Sequence, residues 1–152
     1  MSNALDYDAD HADSKTKGST VARYVIEPEV ALALADREAR VPAKHRLFAP
    51  TLLRSHVLAQ LYAAVQRGAL TRKEANARLD YLRGLQVRLL GDRVLQRVAW
   101  DIAVELGWHD TFVAEYLALT KLQADAMVTG NAELATAARK VVAVASLEDL
   151  LR

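Results

Sequence analysis

The stretch Phe112-Val113-Ala114-Glu115-Tyr116-Leu117-Ala118-Leu119, followed by Val128-Thr129-Gly130-Asn131, decides the fold. A helix gives way to a short apolar strand, and the strand ends in a polar turn. Asp110 can cap the helix, which then runs from Thr111 to about Gln123. Ala126-Met127-Val128 is short and wholly apolar, as a strand buried on both faces should be.

The same alternation recurs upstream. Ala22-Arg23-Tyr24-Val25-Ile26 reads as a short buried strand, and Pro28 suits the first turn of the helix that continues through Val30, Leu32 and Leu34. Arg46-Leu47-Phe48-Ala49 is a second strand. Pro50 is expected to open a helix to about Gln66, with Leu53, Val57, Leu61 and Ala64 on one face and Gly68 at its close. Thr71-Arg72-Lys73-Glu74 is a capping box for a helix carrying Leu79 and Leu82. Gln86 to Leu90 alternates like a strand. Asp92 can cap a helix that turns Val94, Leu95, Val98, Ile102 and Leu106 inward and ends at Gly107. Downstream lie a helix from Ala132 to Lys140, a last strand from Val141 to Val144 and a helical turn from Leu147 to Leu151. Short apolar strands separated by helices predict an α/β fold, three-layer α/β/α, with a central, mainly parallel sheet.

Hydrophobic residues make up 52% of the 152 and charged residues 26%, the balance of a soluble globular fold. No apolar run approaches a membrane span and no apolar signal opens the chain, so no membrane association is expected and the cytoplasm is the expected compartment. Without cysteine there is no disulfide framework and no thiolate metal site. Residues 1–19 carry four aspartates against Lys15 and Lys17, which leaves +3 of the net +1 charge on residues 20–152. This polar tail is expected to be disordered, either a solvated leader or a mask for a basic groove. Residues 20–152 form the one expected domain.

In an open parallel sheet, ligands bind beyond the carboxyl ends of the strands. Glu27 follows one strand directly, and Thr129-Gly130-Asn131 follows another. If both strands are central, Glu27, Thr129 and Asn131 face one crevice. Glu27 and Asn131 also read simply as caps of the helices they precede.

From about Tyr24 to Leu151 the chain resembles a PIN domain, in particular the VapC-type toxin ribonucleases of bacterial toxin–antitoxin pairs. The resemblance rests on four pieces in order: Tyr24 to Val30, Ala49 to Val57, Phe112 to Leu119, and Val128 to Leu134. It implies a cluster of acids holding one or two Mg²⁺ or Mn²⁺ ions that activate water on an RNA phosphodiester. The family's four acids fall on Glu27, His56, Val113 and Asn131, so one charge of four survives. Hard dications need several oxygen ligands, and the resemblance therefore implies a weakened metal site with weak or no RNA cleavage. The retained role would be binding RNA or a partner such as an antitoxin peptide.

The rival is a working endoribonuclease whose metal site is rebuilt from Glu27, Glu29, His56, Asp110 and Glu115. Glu115 lies about 200° round the helix from Val113, and Asp110 sits at a cap position, which weighs against both as ligands. A third reading is a non-catalytic oligomeric scaffold; a homodimer through the Pro50–Gln66 helix is expected. Arg46 and Arg88, and above all Arg54, Arg93 and Arg97, are candidates for an RNA phosphate rim, although each also reads as ordinary solvated charge. His45 and His109 are expected in exposed loops, and Trp100 and Trp108 in the core.

Overall fold

The computed structural model describes residues 21–152, so the expected disordered tail lies outside the described residues. Five strands form one sheet: β1 (Arg23–Ile26), β2 (Arg46–Pro50), β3 (Val87–Leu90), β4 (Ala126–Val128) and β5 (Val144–Ala145). Their spatial order is β3-β2-β1-β4-β5, and every pairing is parallel. Val25 stands opposite Phe48 on one side and Met127 on the other. Both faces of this central pair are covered, so Val25, Ile26, Met127 and Val128 are wholly buried.

The first two connections carry α1 (Pro28–Asp36), then α2 (Leu53–Gln66) and α3 (Arg72–Gly84), and the three helices pack on one another. An Arg78–Asp36 ion pair ties α3 to α1. The chain then returns through α4 (Arg93–Leu106) and α5 (Phe112–Gln123), which pack together while α5 lies on β1, β2 and β4. Parallel crossovers are right-handed. Strands added to the left of β1 and to the right of β4 therefore place their helices on opposite faces, giving the three-layer α/β/α fold. α6 (Ala132–Ala138) and α7 (Leu147–Leu151) complete the chain.

Ala114, Tyr116, Leu117, Ala118 and Leu119 of α5 are all buried, because α5 is covered by the sheet on one side and α4 on the other. Leu117 alone represents roughly 2 kcal/mol of burial. α4 has a single inner face, Leu95, Ala99, Ile102 and Ala103. Asp92 accepts the Leu95 N–H at 2.8 Å, and Gly107 ends α4 in the left-handed conformation at φ 69°. The Thr71–Glu74 capping box forms as the sequence predicts.

Several local expectations are corrected. Pro50 ends β2 opposite Leu90 instead of opening α2, and the next N–H, that of Thr51, closes the ladder onto Leu90. A proline at a strand's last position loses no ladder donor it needs. Val94 and Trp100 face outward, Trp100 at 67% exposure, because the inner stripe of α4 is narrower than the apolar pattern suggests. α6 stops at Ala138, and β5 is only Val144–Ala145, since three-residue β4 offers no longer partner. His45 is not solvent-exposed: both ring nitrogens are buried, and the ring stands edge-on to Tyr24 at 5.2 Å.

Candidate functional site

β1 and β4 are neighbours whose following helices, α1 and α6, leave toward opposite faces of the sheet. The backbone parts there, and a crevice opens beyond the strand ends. It encloses about 450 Å³ and is lined by Glu27 and Glu29, His56 and Gln60 of α2, Trp108, Val113 and Tyr116, and Asn131 and Glu133. Thus Glu27, Glu29, His56 and Asn131, far apart in sequence, meet as expected. Val113 meets them too, with a methyl-bearing wall.

Glu27 is 6% exposed, and its Oε1 accepts the Val30 N–H at 3.0 Å, capping α1. Burial pushes its carboxyl up to about 7, the charge of Glu29 adds to the rise, and the Val30 N–H opposes it. Near neutral pH this group therefore holds a proton far more readily than an ordinary carboxyl. Asn131 caps α6 in the same way, its Oδ1 accepting the Leu134 N–H at 3.0 Å. Both cap and crevice readings hold for these two residues. Thr129 is buried, and its hydroxyl accepts the Asn131 N–H at 3.1 Å. It shapes the turn and does not line the crevice.

His56 Nδ1 lies 3.1 Å from the Tyr116 hydroxyl, the two rings nearly parallel at 13°. Phe112 meets the other side of His56 edge-on at 5.7 Å. Burial, then the charges of Glu27 and Glu115, raise the Tyr116 hydroxyl well above its ordinary value, so it stays protonated. Burial also lowers the His56 pKa, against the opposing charge of Asp110, which favours the neutral ring. Which partner donates across the 3.1 Å contact follows the tautomer of His56.

Asp110 and Glu115 stand outside the crevice lining. Asp110 accepts the Phe112 N–H at 3.1 Å, and half-buried Glu115 is raised by desolvation. Among the described residues no three His, Asp or Glu side chains gather into a group able to hold a metal ion. None of the five arginines lines the crevice. Arg54 borders a separate groove with Leu58, Leu82 and Leu89, while Arg93 and Arg97 sit on the outer face of α4 beside Trp100 and Val104. Arg46 and Arg88 lie toward the amino ends of their strands, at the far edge of the sheet.

The sequence reading missed Gln60, Trp108, Tyr116 and Glu133 as crevice residues. Gln60 is one helical turn after His56, and Glu133 is in the first turn of the helix Asn131 caps, so both carried a positional signal. Trp108 lies in the turn after α4, half-buried where a core position was expected, and no local pattern marks it.

No family model and no curated protein matches this chain. Solved structures do. PAE2754 from Pyrobaculum aerophilum superposes with a TM-score of 0.64 at 20% identity, over 88% of this chain and 96% of its own. VapBC2 from Rickettsia felis, solved bound to a DNA fragment from its promoter, gives 0.53 at 13% identity, over 82% and 98%. What is shared is the fold, a PIN-like three-layer α/β/α arrangement.

Proposed function

We propose that this chain is a VapC-like PIN-domain protein of ribonuclease ancestry with an eroded acidic metal site. It has weak or no RNA cleavage and a retained role in binding RNA or a partner peptide. The observation that carries this reading is the crevice at the β1–β4 switch point, where Val113 and Asn131 stand among the walls beside a single buried acid.

The donors there do not fit a hard dication. Glu27 is engaged by the Val30 N–H, the Asn131 oxygen by Leu134 and His56 Nδ1 by Tyr116, while the exposed Glu29 and Glu133 line the crevice without gathering with Glu27 into a metal-holding group. Mg²⁺ or Mn²⁺ requires several free oxygen ligands, so no hydrolytic step is assigned to a metal. The positions of Asp110 and Glu115 outside the crevice weigh against a rebuilt nuclease site. The likeness to VapBC2 supports an antitoxin peptide as the partner. The exposed Leu58 and Tyr62 of α2 support a homodimer; Arg54, Arg93 and Arg97, proposed from the sequence as an RNA rim, lie on separate surfaces outside the crevice, and no RNA contact is assigned to them. No helix among the described residues is long and apolar enough to cross a membrane; the expected compartment is the cytoplasm.

An RNA cleavage assay in Mg²⁺ and in Mn²⁺ tests this, comparing the native chain with a folded His56→Glu, Val113→Asp, Asn131→Asp variant. Cleavage gained only by the variant is the expected result. Metal-dependent cleavage by the native chain, abolished by Glu27→Gln, would refute the proposal.

A further inference from the structure

At the edge of the sheet opposite the crevice, an open cleft of about 940 Å³ runs past the amino ends of β1, β2 and β3. Its charged lining is of one sign: Arg23, Lys44, Arg46 and Arg88, with no acidic residue. All four are exposed, and none forms an ion pair among the described residues. Asp125, on an adjoining turn, accepts the Arg23 backbone N–H at 2.8 Å and stands outside the lining. Arg23 and Arg46 are register partners on adjacent strands, and Arg88, opposite Phe48, lies one strand further and two residues along. The three backbone positions therefore span about 12 Å at the usual strand spacing and rise. That span suits a ligand with several phosphates better than a single anion.

His45 adds a second observation. It lines this cleft with both ring nitrogens buried and unpartnered among the described residues. Burial, then the neighbouring Lys44 charge, lowers its pKa. A neutral imidazole offers one donor and one acceptor, and buried groups of this kind ordinarily find partners. Exposed Gln86 supplies polar capacity beside the cations, whereas the His45 nitrogens lie beneath the surface of the cleft.

We infer that this cleft is a nucleic-acid site taking the phosphate backbone of a single-stranded RNA, remote from the crevice and independent of any chemistry there. Arg23, Lys44, Arg46 and Arg88 contact phosphates, and exposed Gln86 faces sugar or base edges. The acidic segment 1–19 of the same chain is the competing occupant, since Val21, the first described residue, lines the cleft. Its charge is poorly placed, because Lys15 and Lys17 lie between the aspartates and Val21.

The test is fluorescence anisotropy with a labelled single-stranded RNA and the full chain, across a salt series. Four phosphate contacts predict a log K against log salt slope of about −2.8. Arg46→Ala, Arg88→Ala together should halve that slope and weaken binding at least about tenfold at 0.1 M salt. An Arg72→Ala, Lys73→Ala control on the exposed start of α3 should change neither. A double variant that binds as the native chain does would overturn the inference. So would RNA binding that emerges only when Asp6, Asp8, Asp10 and Asp13 are changed to Asn, which would assign the cleft to that segment. Neither result bears on the crevice cleavage assay, which reads different residues.

Discussion

Replacing Glu27 by glutamine should make the protein more stable at pH 8 and remove most of one pH dependence. The carboxyl titrates at about 7 when folded and at an ordinary 4.5 when unfolded, chiefly because burial disfavours its charge. Between those values the folded chain holds more protons than the unfolded chain, so stability must fall as pH rises. The contribution is complete below pH 4.5 and lost above about 7. At about 1.4 kcal/mol per tenfold change in proton affinity, the full loss is about 3 kcal/mol. Glutamine keeps an oxygen for the Val30 N–H and carries no charge to desolvate. Urea unfolding of both proteins at pH 5 and pH 8, with EDTA present, reads the effect as a double difference in which other titrating groups cancel. With a typical slope of about 1–3 kcal/mol per molar urea, the relative midpoint should move by at least about 1 M. Parallel pH profiles for the two proteins would refute the assignment of a destabilising charge to Glu27.

Tyr116→Phe removes the hydroxyl that meets His56 Nδ1 at 3.1 Å and should cost about 1 kcal/mol in chemical denaturation. It should also shift the His56 ring resonances in an NMR pH titration; unchanged resonances would count against the contact. Gly107→Ala forces a side chain onto φ 69° at the end of α4 and should cost about 1–2 kcal/mol. The same change at Gly84, whose φ is not positive and whose Cβ position is open, should cost less, and equal losses at the two sites would contradict this reading.

The fold was largely legible because its signals are local. Each strand is a short apolar run, and caps at Glu27, Thr71, Asp92 and Asn131 mark helix starts with side chains that bond three residues ahead. Pro50 misled because proline suits both a first helical turn and a strand's final residue, and only the pairing with β3 distinguishes them. Trp100 and His45 misled for a related reason: exposure depends on which neighbours arrive, and neither neighbour is close in sequence. The crevice divides along the same line. Glu27 and Asn131 were visible as residues following strands, whereas the His56–Tyr116 contact joins positions 60 residues apart. No periodicity encodes which rotamers meet across that gap. The arginines show the limit most clearly, since Arg46 and Arg88 looked like the crevice's rim and lie at the other edge of the sheet.

The two helices that flank the crevice begin on caps of different chemistry. Asn131 holds α6 with an amide, which has no proton to gain or lose in the physiological range, whereas Glu27 holds α1 with an acid balanced near neutrality. Acidification through the neutral range therefore acts on the cap of α1 and leaves the cap of α6 untouched. The crevice opens between one helix start that is chemically silent and one that is responsive, meeting along a single seam between two strands.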